Sequence, residues 1–397
     1  MSSAPPVRKT LAPRFSRSDK SALGTWFWEI DKVLLVLVAV LIVIGLIAVA
    51  AASPAAGQRY SGGGISVAPL YYFYRQLMWI GLAVPVMLAV SVLDKATARR
   101  LSIVGAIGFT ILLFLVPLVG AEVNGARRWL IIGVQFQPSE FLKPLFIVAI
   151  AWLLSLKDKD KSLPVVPLSA VIIGIIALLL MRQPNMGETV IFVSAWVILL
   201  MLSGASMRIL YGLGAAGLGL LVAAYLFYDV ATQRINGFLF AEGDQYQVES
   251  ALRTLTSGGL FGAGPGAGIR KFSLPEPHTD YIFSVIGEEF GIIACLAIAV
   301  LYMTIVVRVL VRLLKEEDKF LVLATAGLVT QFGLQALINM AVNVHIAPSK
   351  GMTLPFISYG GSSMIALALG FGLLLAFSRG NPHLPRHSYE VKWRGFR

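Results

Sequence analysis

Ten apolar stretches, each closed by a polar or proline- and glycine-marked turn, decide what this chain can fold into. They run over residues 33–52, 76–93, 101–120, 141–156, 164–181, 189–204, 208–228, 281–307, 319–342 and 361–378. A helix rises ~1.5 Å per residue, so about 20 apolar residues cross a ~30 Å hydrocarbon layer. The spacing therefore predicts an all-α integral membrane protein with ten transmembrane helices and a long loop, residues 229–280, between helices 7 and 8. The fourth and sixth stretches are short for a full crossing, which predicts a tilt or partial re-entry. With 57% hydrophobic and only 14% charged residues among 397, the composition excludes a soluble domain of this size. No repeat of 20–50 residues and no inverted halves are visible, so residues 33–378 read as one membrane domain between tails 1–32 and 379–397. Cys295 is the single cysteine and lies in an apolar stretch; it reads as packing and rules out disulfides.

The formal charge of +12 divides unequally between the two sides of such a bundle. Two thirds of the 33 lysines and arginines fall in the two tails and in the loops near 95–100, 157–161, 208 and 308–319. The positive-inside rule puts those segments, and both ends, in the cytoplasm, and puts the 229–280 loop outside. The N-terminal tail reads as disordered up to Trp26, Phe27 and Trp28, an anchor at the membrane interface. Membrane lipids are thus expected partners. Nucleic acid is not, because no aromatic or glycine-rich module accompanies the basic residues.

Residues 271–291, KFSLPEPHTDYIFSVIGEEFG, organise the rest. Pro275 and Pro277 stop any helix before His278, and the apolar run from Tyr281 then begins one. Asp280 sits at the mouth of that helix, where it meets water and substrate. Glu288 and Glu289 fall about 12 Å deeper and face the bundle or a cavity, since lipid would exclude them. A helix cap is the alternative reading of Asp280.

Four further stretches lie on the same side. NGARRWLIIGVQFQPSEFLKP carries Arg127, Arg128, Gln137, Ser139, Glu140 and Lys143; Pro138 and Ser139 resemble a helix start. Lys143 then falls inside a span, either as a snorkelling lysine or, with the paired arginines, as a diphosphate clamp. RQPNMGET, residues 182–189, is on its own only a turn. The stretch SGGLFGAGPGAGIRK has no strand before it and reads as a flexible loop that grips substrate, not as a nucleotide cradle. PSKGMTLPFISYGGSS puts irregular backbone at membrane depth, tolerated only beside protein or water, with Lys350, Ser358, Tyr359, Ser362 and Ser363 lining the cavity. His278 and His345 have no ligand partner at useful spacing, so a zinc site is not expected. His278 orients Asp280 or fills the surface.

Taken together, ARRWL with QPSEFLKP, RQPNMGET, GGLFGAGPG with LPEPHTDYIFSVIGEEFG, and KGMTLPFISYGGSS resemble the SEDS family of FtsW, RodA and SpoVE, in the family's order. The basic N-terminal tail, GPGAG and the last motif are closer to the division member than to the elongation member. One position departs: the family's second motif usually reads QPD, and here Asn185 stands in it, retaining a hydrogen bond but not a charge.

The resemblance implies a peptidoglycan glycosyltransferase that polymerises lipid II at the outer face of the bacterial inner membrane, at the division septum. Its partners would be a class B penicillin-binding protein and other division proteins. It also implies that Asp280 is the base. Joining an acceptor 4-hydroxyl to the anomeric carbon of a lipid diphosphate sugar, with inversion, needs one carboxylate for the hydroxyl proton and cations for the leaving diphosphate. Arg127, Arg128, Lys143, Arg270, Lys271 and Lys350 are the candidate cations, with His278, Ser358 and Ser362 as further substrate contacts. Glu288 and Glu289 are assigned to buried pairing with such cations. A divalent cation, magnesium or manganese, would help neutralise the diphosphate, but scattered acids define no site for it. A lipid II flippase and a non-catalytic division scaffold are the competing readings.

Overall fold

The computed structural model describes residues 22–61, 66–123, 126–158, 160–240, 246–348 and 351–380. A short helix, α1 (Ala22–Glu29), leads into the bundle, and its Trp26 indole donates to Ser91 Oγ at 2.9 Å. The expected spans follow as α2 (Lys32–Arg59), α3 (Tyr71–Val92), α4 (Lys95–Val119), α5 (Pro138–Ser155), α6 (Val165–Arg182), α7 (Met186–Leu202) and α8 (Met207–Phe227). The long loop holds α9 (Asp229–Phe240) and α10 (Tyr246–Ser257), after which α11 (Ile282–Leu313), α12 (Lys319–Asn343) and α13 (Gly361–Ser378) complete the chain. Nine helices among the described residues are long and apolar enough to cross a membrane, and α7 is a shorter apolar one. Their ends take ordinary signals: Asp31, Asp94 and Asp318 cap α2, α4 and α12, and Pro138 opens α5.

α5, α12 and α13 form the centre, with α3 packed on α13 and α4 on α5. Buried α12 carries Gln331, Gln335, Asn339 and Asn343, four amides at four-residue spacing and hence on one face. Cys295 is buried, as its apolar surroundings require. The helical expectation misses one element. Between α4 and α5 the chain forms a three-stranded antiparallel sheet, β1 (Ala121–Val123), β2 (Ala126–Ile132) and β3 (Val134–Phe136), in the order β1-β2-β3.

The glycine stretch does not form a loose loop. α11 breaks at Gly291, whose φ of 81° belongs to the left-handed region. Residues 258–264 fill that break: Ala263 and Gly264 donate to the carbonyls of Glu288 and Glu289 at 2.8 and 3.0 Å, and Ile292 donates to Gly259 O at 3.0 Å. Main-chain groups at the break thus find partners in the loop, which is what lets a broken helix persist at membrane depth. A Cβ on Gly291 would stand 2.2 Å from Leu260 O, so the approach itself requires glycine.

The two acids next to the break hold the rest of the loop. Glu288 accepts from the backbone N–H groups of Ile269, Arg270 and Lys271 at 2.9, 2.7 and 2.9 Å. Glu289 accepts from Gly266 N at 2.8 Å and pairs with the Lys271 ammonium, which also donates to Ala51 O at 2.9 Å. The expected cation pairing therefore holds for Glu289. Glu288 is satisfied by backbone instead.

Candidate active site

At the end of the bundle that carries the sheet and the glycine loop, a cavity of about 590 Å³ opens among α2, α3, β2, the α6–α7 turn and residues 276–280 and 351–363. Asp280 lies on its wall, half-buried, two residues before α11. The backbone leading to it is fixed carbonyl by carbonyl. Tyr359 N donates to His278 O at 2.8 Å, Ser358 Oγ to Thr279 O at 2.6 Å, and the amides of Asn339 and Asn343 to Asp280 O at 2.9 and 3.1 Å. Asn343 in turn accepts from Ser284 N and Oγ at 3.1 and 2.7 Å, tying the first turn of α11 to α12.

The Asp280 carboxylate itself has no hydrogen-bond partner among the described residues and points past Gly351, where a Cβ would lie 3.0 Å from Oδ2. Burial, reinforced by the charge of Glu276 and opposed by Arg128, pushes its pKa up to about 7. A carboxylate so poised and so unencumbered can take a proton from a hydroxyl near neutral pH.

Of the predicted cations, the structure brings Arg128 to the cavity. Adjacent residues of a strand point to opposite faces. Arg128 accordingly turns inward, donating to the carbonyls of Gln183 and Pro184 at 3.0 and 2.6 Å, while Arg127 turns out to an exposed pair with Glu122 at 3.3 Å. Lys143 neither snorkels nor faces the cavity. Its ammonium is buried behind two carboxylates that do line it, 2.9 Å from Glu140 and 3.8 Å from Glu188. Gln137 and Asn185 complete that cluster, donating to Glu188 at 3.1 and 2.9 Å. Lys271 is spent on Glu289, and Arg270 is exposed and off the cavity. Ser358 is buried as a backbone brace, holding Thr279 O and accepting from Leu354 N at 2.7 Å. Ser362 lines the cavity and its hydroxyl has no partner among the described residues. Lys350 lies outside the described residues.

His278 is buried among rings, its centroid 4.1 Å from Tyr72 and 5.2 Å from Tyr359. Burial lowers its pKa to about 4, so the imidazole is neutral. It packs against the site and makes no hydrogen bond to Asp280. Sequence reading passed over Glu276, which lines the cavity and accepts from Tyr60 OH at 2.5 Å and Thr279 Oγ1 at 2.9 Å. It also passed over Tyr60 at the end of α2, Tyr72 and Trp79 in α3, and Glu188 in the first turn of α7. For Asn339 and Asn343 a signal existed, the four-residue spacing of amides along an apolar helix. Among the described residues, no three His, Cys, Asp or Glu side chains gather as a metal-ligand set.

Comparison with known proteins agrees with this geometry. The FtsW/RodA/SpoVE family model, described as "Cell cycle protein", matches residues 31–383. A Caulobacter vibrioides protein, "Probable peptidoglycan glycosyltransferase FtsW", is 38% identical over 93% of this chain and 94% of its own. A Trichlorobacter lovleyi protein of the same description is 33% identical over 92% and 97%. Among solved structures, a chain from "Structural coordination of polymerization and crosslinking by a peptidoglycan synthase complex" superposes with a TM-score of 0.71 at 26% identity, covering 88% of this chain and 97% of its own. The Thermus thermophilus rod shape determining protein RodA gives 0.65 at 27%, covering 88% and 96%. The chain is a multi-pass membrane protein and belongs to the FtsW/RodA/SpoVE family.

Proposed function

We propose that this chain is a peptidoglycan glycosyltransferase that polymerises lipid II by inverting transfer, with Asp280 as general base. The single observation that carries the role of Asp280 is its carboxylate: braced from behind through three consecutive carbonyls, without a hydrogen-bond partner among the described residues, and open to a 590 Å³ cavity. In the proposed step the acceptor's 4-hydroxyl oxygen attacks the anomeric carbon of the donor sugar. The bond from that carbon to the phosphate oxygen breaks, its electron pair leaves with the lipid diphosphate, and the hydroxyl proton passes to Asp280. Of the two described cations that line the cavity, Arg75 and Arg128, Arg128 is assigned to attract the diphosphate. A magnesium or manganese ion carried in with the substrate's own diphosphate would neutralise part of its charge.

The family description "Cell cycle protein" and the relatives' names support a role in cell division, and the proposal places the chain at the septum of the bacterial inner membrane. The basic loops support a cytoplasmic placement of both ends, with the cavity on the outer face. The similarity to a chain of a peptidoglycan synthase complex supports a class B penicillin-binding protein as partner; other division proteins around the pair belong to the proposal. The test is polymer formation from purified lipid II in liposomes, with a transpeptidase-inactive partner present. Glycan polymer is expected; lipid II crossing the bilayer without polymer would move the assignment to a flippase, and neither activity would leave a scaffold.

A further inference from the structure

The cavity has two unlike walls. One carries Arg128 beside the α6–α7 turn. The other is a cluster of rings, with Tyr72, His278 and Tyr359 centred within 5.3 Å of one another, Glu276 beside them, and the exposed Arg75 at its edge, donating to Tyr71 OH at 3.0 Å. Glu276 is held in a conformation that its residue type seldom adopts, φ 49° between Pro275 and Pro277. Two side chains fix its carboxylate from different elements: Tyr60 OH donates to Oε1 at 2.5 Å and Thr279 Oγ1 to Oε2 at 2.9 Å. Each oxygen therefore keeps an acceptor position for a ligand. Nothing in the transfer step above uses this arrangement.

Its chemistry selects a ligand. An ionised carboxylate accepts hydrogen bonds only, so it reads hydroxyl and N–H groups and repels a diphosphate. A second carboxylate, Asp280, stands on the same wall and strengthens that repulsion. The half-buried faces of Tyr72 and Tyr359, backed by the buried His278 ring, can cover the apolar C–H surface of a sugar. On the Arg128 side the Glu140 and Glu188 carboxylates share the Lys143 ammonium, whereas Arg75 alone stands against Glu276 and Asp280 on the ring side. The balance of charge therefore directs the donor's diphosphate to Arg128 and an uncharged sugar to the rings.

We propose that Glu276, with Tyr72, His278 and Tyr359, forms the subsite of the acceptor sugar. Glu276 accepts a hydrogen bond from a hydroxyl or N-acetyl N–H of that sugar, and the ring cluster packs against its face. Tyr60 is a positioning residue that holds Glu276 in its strained conformation. The proposal rests on the polymerase reading and assigns an address within it.

The test separates acceptor from donor. A labelled lipid II whose 4-hydroxyl is blocked serves only as donor, and unblocked lipid II is varied as acceptor, with the full-length protein and its transpeptidase-inactive partner at pH 8.5. Glu276→Gln removes the charge and is expected to raise the acceptor concentration for half-maximal rate roughly tenfold or more, the scale of a hydrogen bond to a charged group. The donor half-saturation is expected to stay within about twofold. Tyr60→Phe, which keeps the Glu276 charge but loosens it, moves the acceptor value in the same direction by less. It decides the matter if Glu276→Gln lowers the melting temperature. A rise confined to the donor, or no change in either value while the wild type transfers, would overturn the subsite alone. No transfer by the wild type would overturn the polymerase reading and the subsite with it.

Discussion

Asn343 donates its side-chain amide to the carbonyl oxygen of Asp280 at 3.1 Å, and Asn339, one turn earlier on α12, donates to the same oxygen at 2.9 Å. The proposed base is thus anchored through its own main chain to α12, one of the most buried helices of the bundle, which leaves the carboxylate open to the cavity. Asn343→Asp keeps an acceptor for Ser284 and loses the donor to Asp280. The expected effect is on orientation: kcat falls by roughly tenfold or more with half-saturation by lipid II within about twofold. Steady-state kinetics check it, and a loss confined to substrate affinity would count against the anchoring role.

The pH dependence follows from the raised pKa of Asp280. A base works in its ionised form, so the rate is expected to fall as pH drops through about 7, with the acid limb near that value. Glu276 raises that pKa by its negative charge. Glu276→Gln should therefore move the limb to lower pH, and rate profiles of wild type and variant between pH 5 and 9 read the shift directly. A limb unmoved, or moved upward, would contradict the assignment of that limb to Asp280.

Lys271 provides the contrast between a substrate cation and a structural one. Its ammonium and the Glu289 carboxylate are nearly fully buried against each other. Lys271→Met leaves an unpaired buried charge and is expected to cost about 3–5 kcal/mol of stability, whereas adding Glu289→Gln recovers most of it. Melting temperatures of the single and double variants decide: equal destabilisation in both would mean that the pair is not what Lys271 is for.

Gly291→Ala puts a Cβ 2.2 Å from Leu260 O at a backbone angle that alanine resists. The glycine loop must move out of the helix break, so lower thermal stability and faster hydrogen exchange at Ala263, Gly264 and Ile292 are expected. Unchanged exchange there would mean that the loop does not depend on the break.

The spans, the helix mouth at Asp280 and the inward acids could be read from hydropathy and proline positions, because lipid permits few alternatives. The hairpin at 121–136 was also within reach. Asn124-Gly125 is a dipeptide that favours two-residue hairpin turns, but the apolar run beside it resembles the end of a span. Its recognition would have separated Arg128 from Arg127, since strand neighbours face opposite ways. The destinations of Lys143 and Lys271 were not legible in advance. Both depend on which carboxylate a third or fourth helix brings near, and hydropathy carries nothing about that. Glu276 was hidden for a similar reason: its partner Tyr60 is more than two hundred residues away in the chain.

The most direct measurement of the central claim is lipid II polymerisation by Asp280→Asn beside wild type, in liposomes with the transpeptidase-inactive partner, together with the melting temperature of each. An amide of nearly the same shape cannot take the acceptor's proton. Since the folded-state pKa of Asp280 lies above its ordinary value, the ionised carboxylate costs stability at pH 8, and the neutral amide relieves that cost. The account predicts no polymer from the variant, with a melting temperature equal to or above wild type. Polymer at the wild-type rate from Asp280→Asn would remove Asp280 from the chemistry.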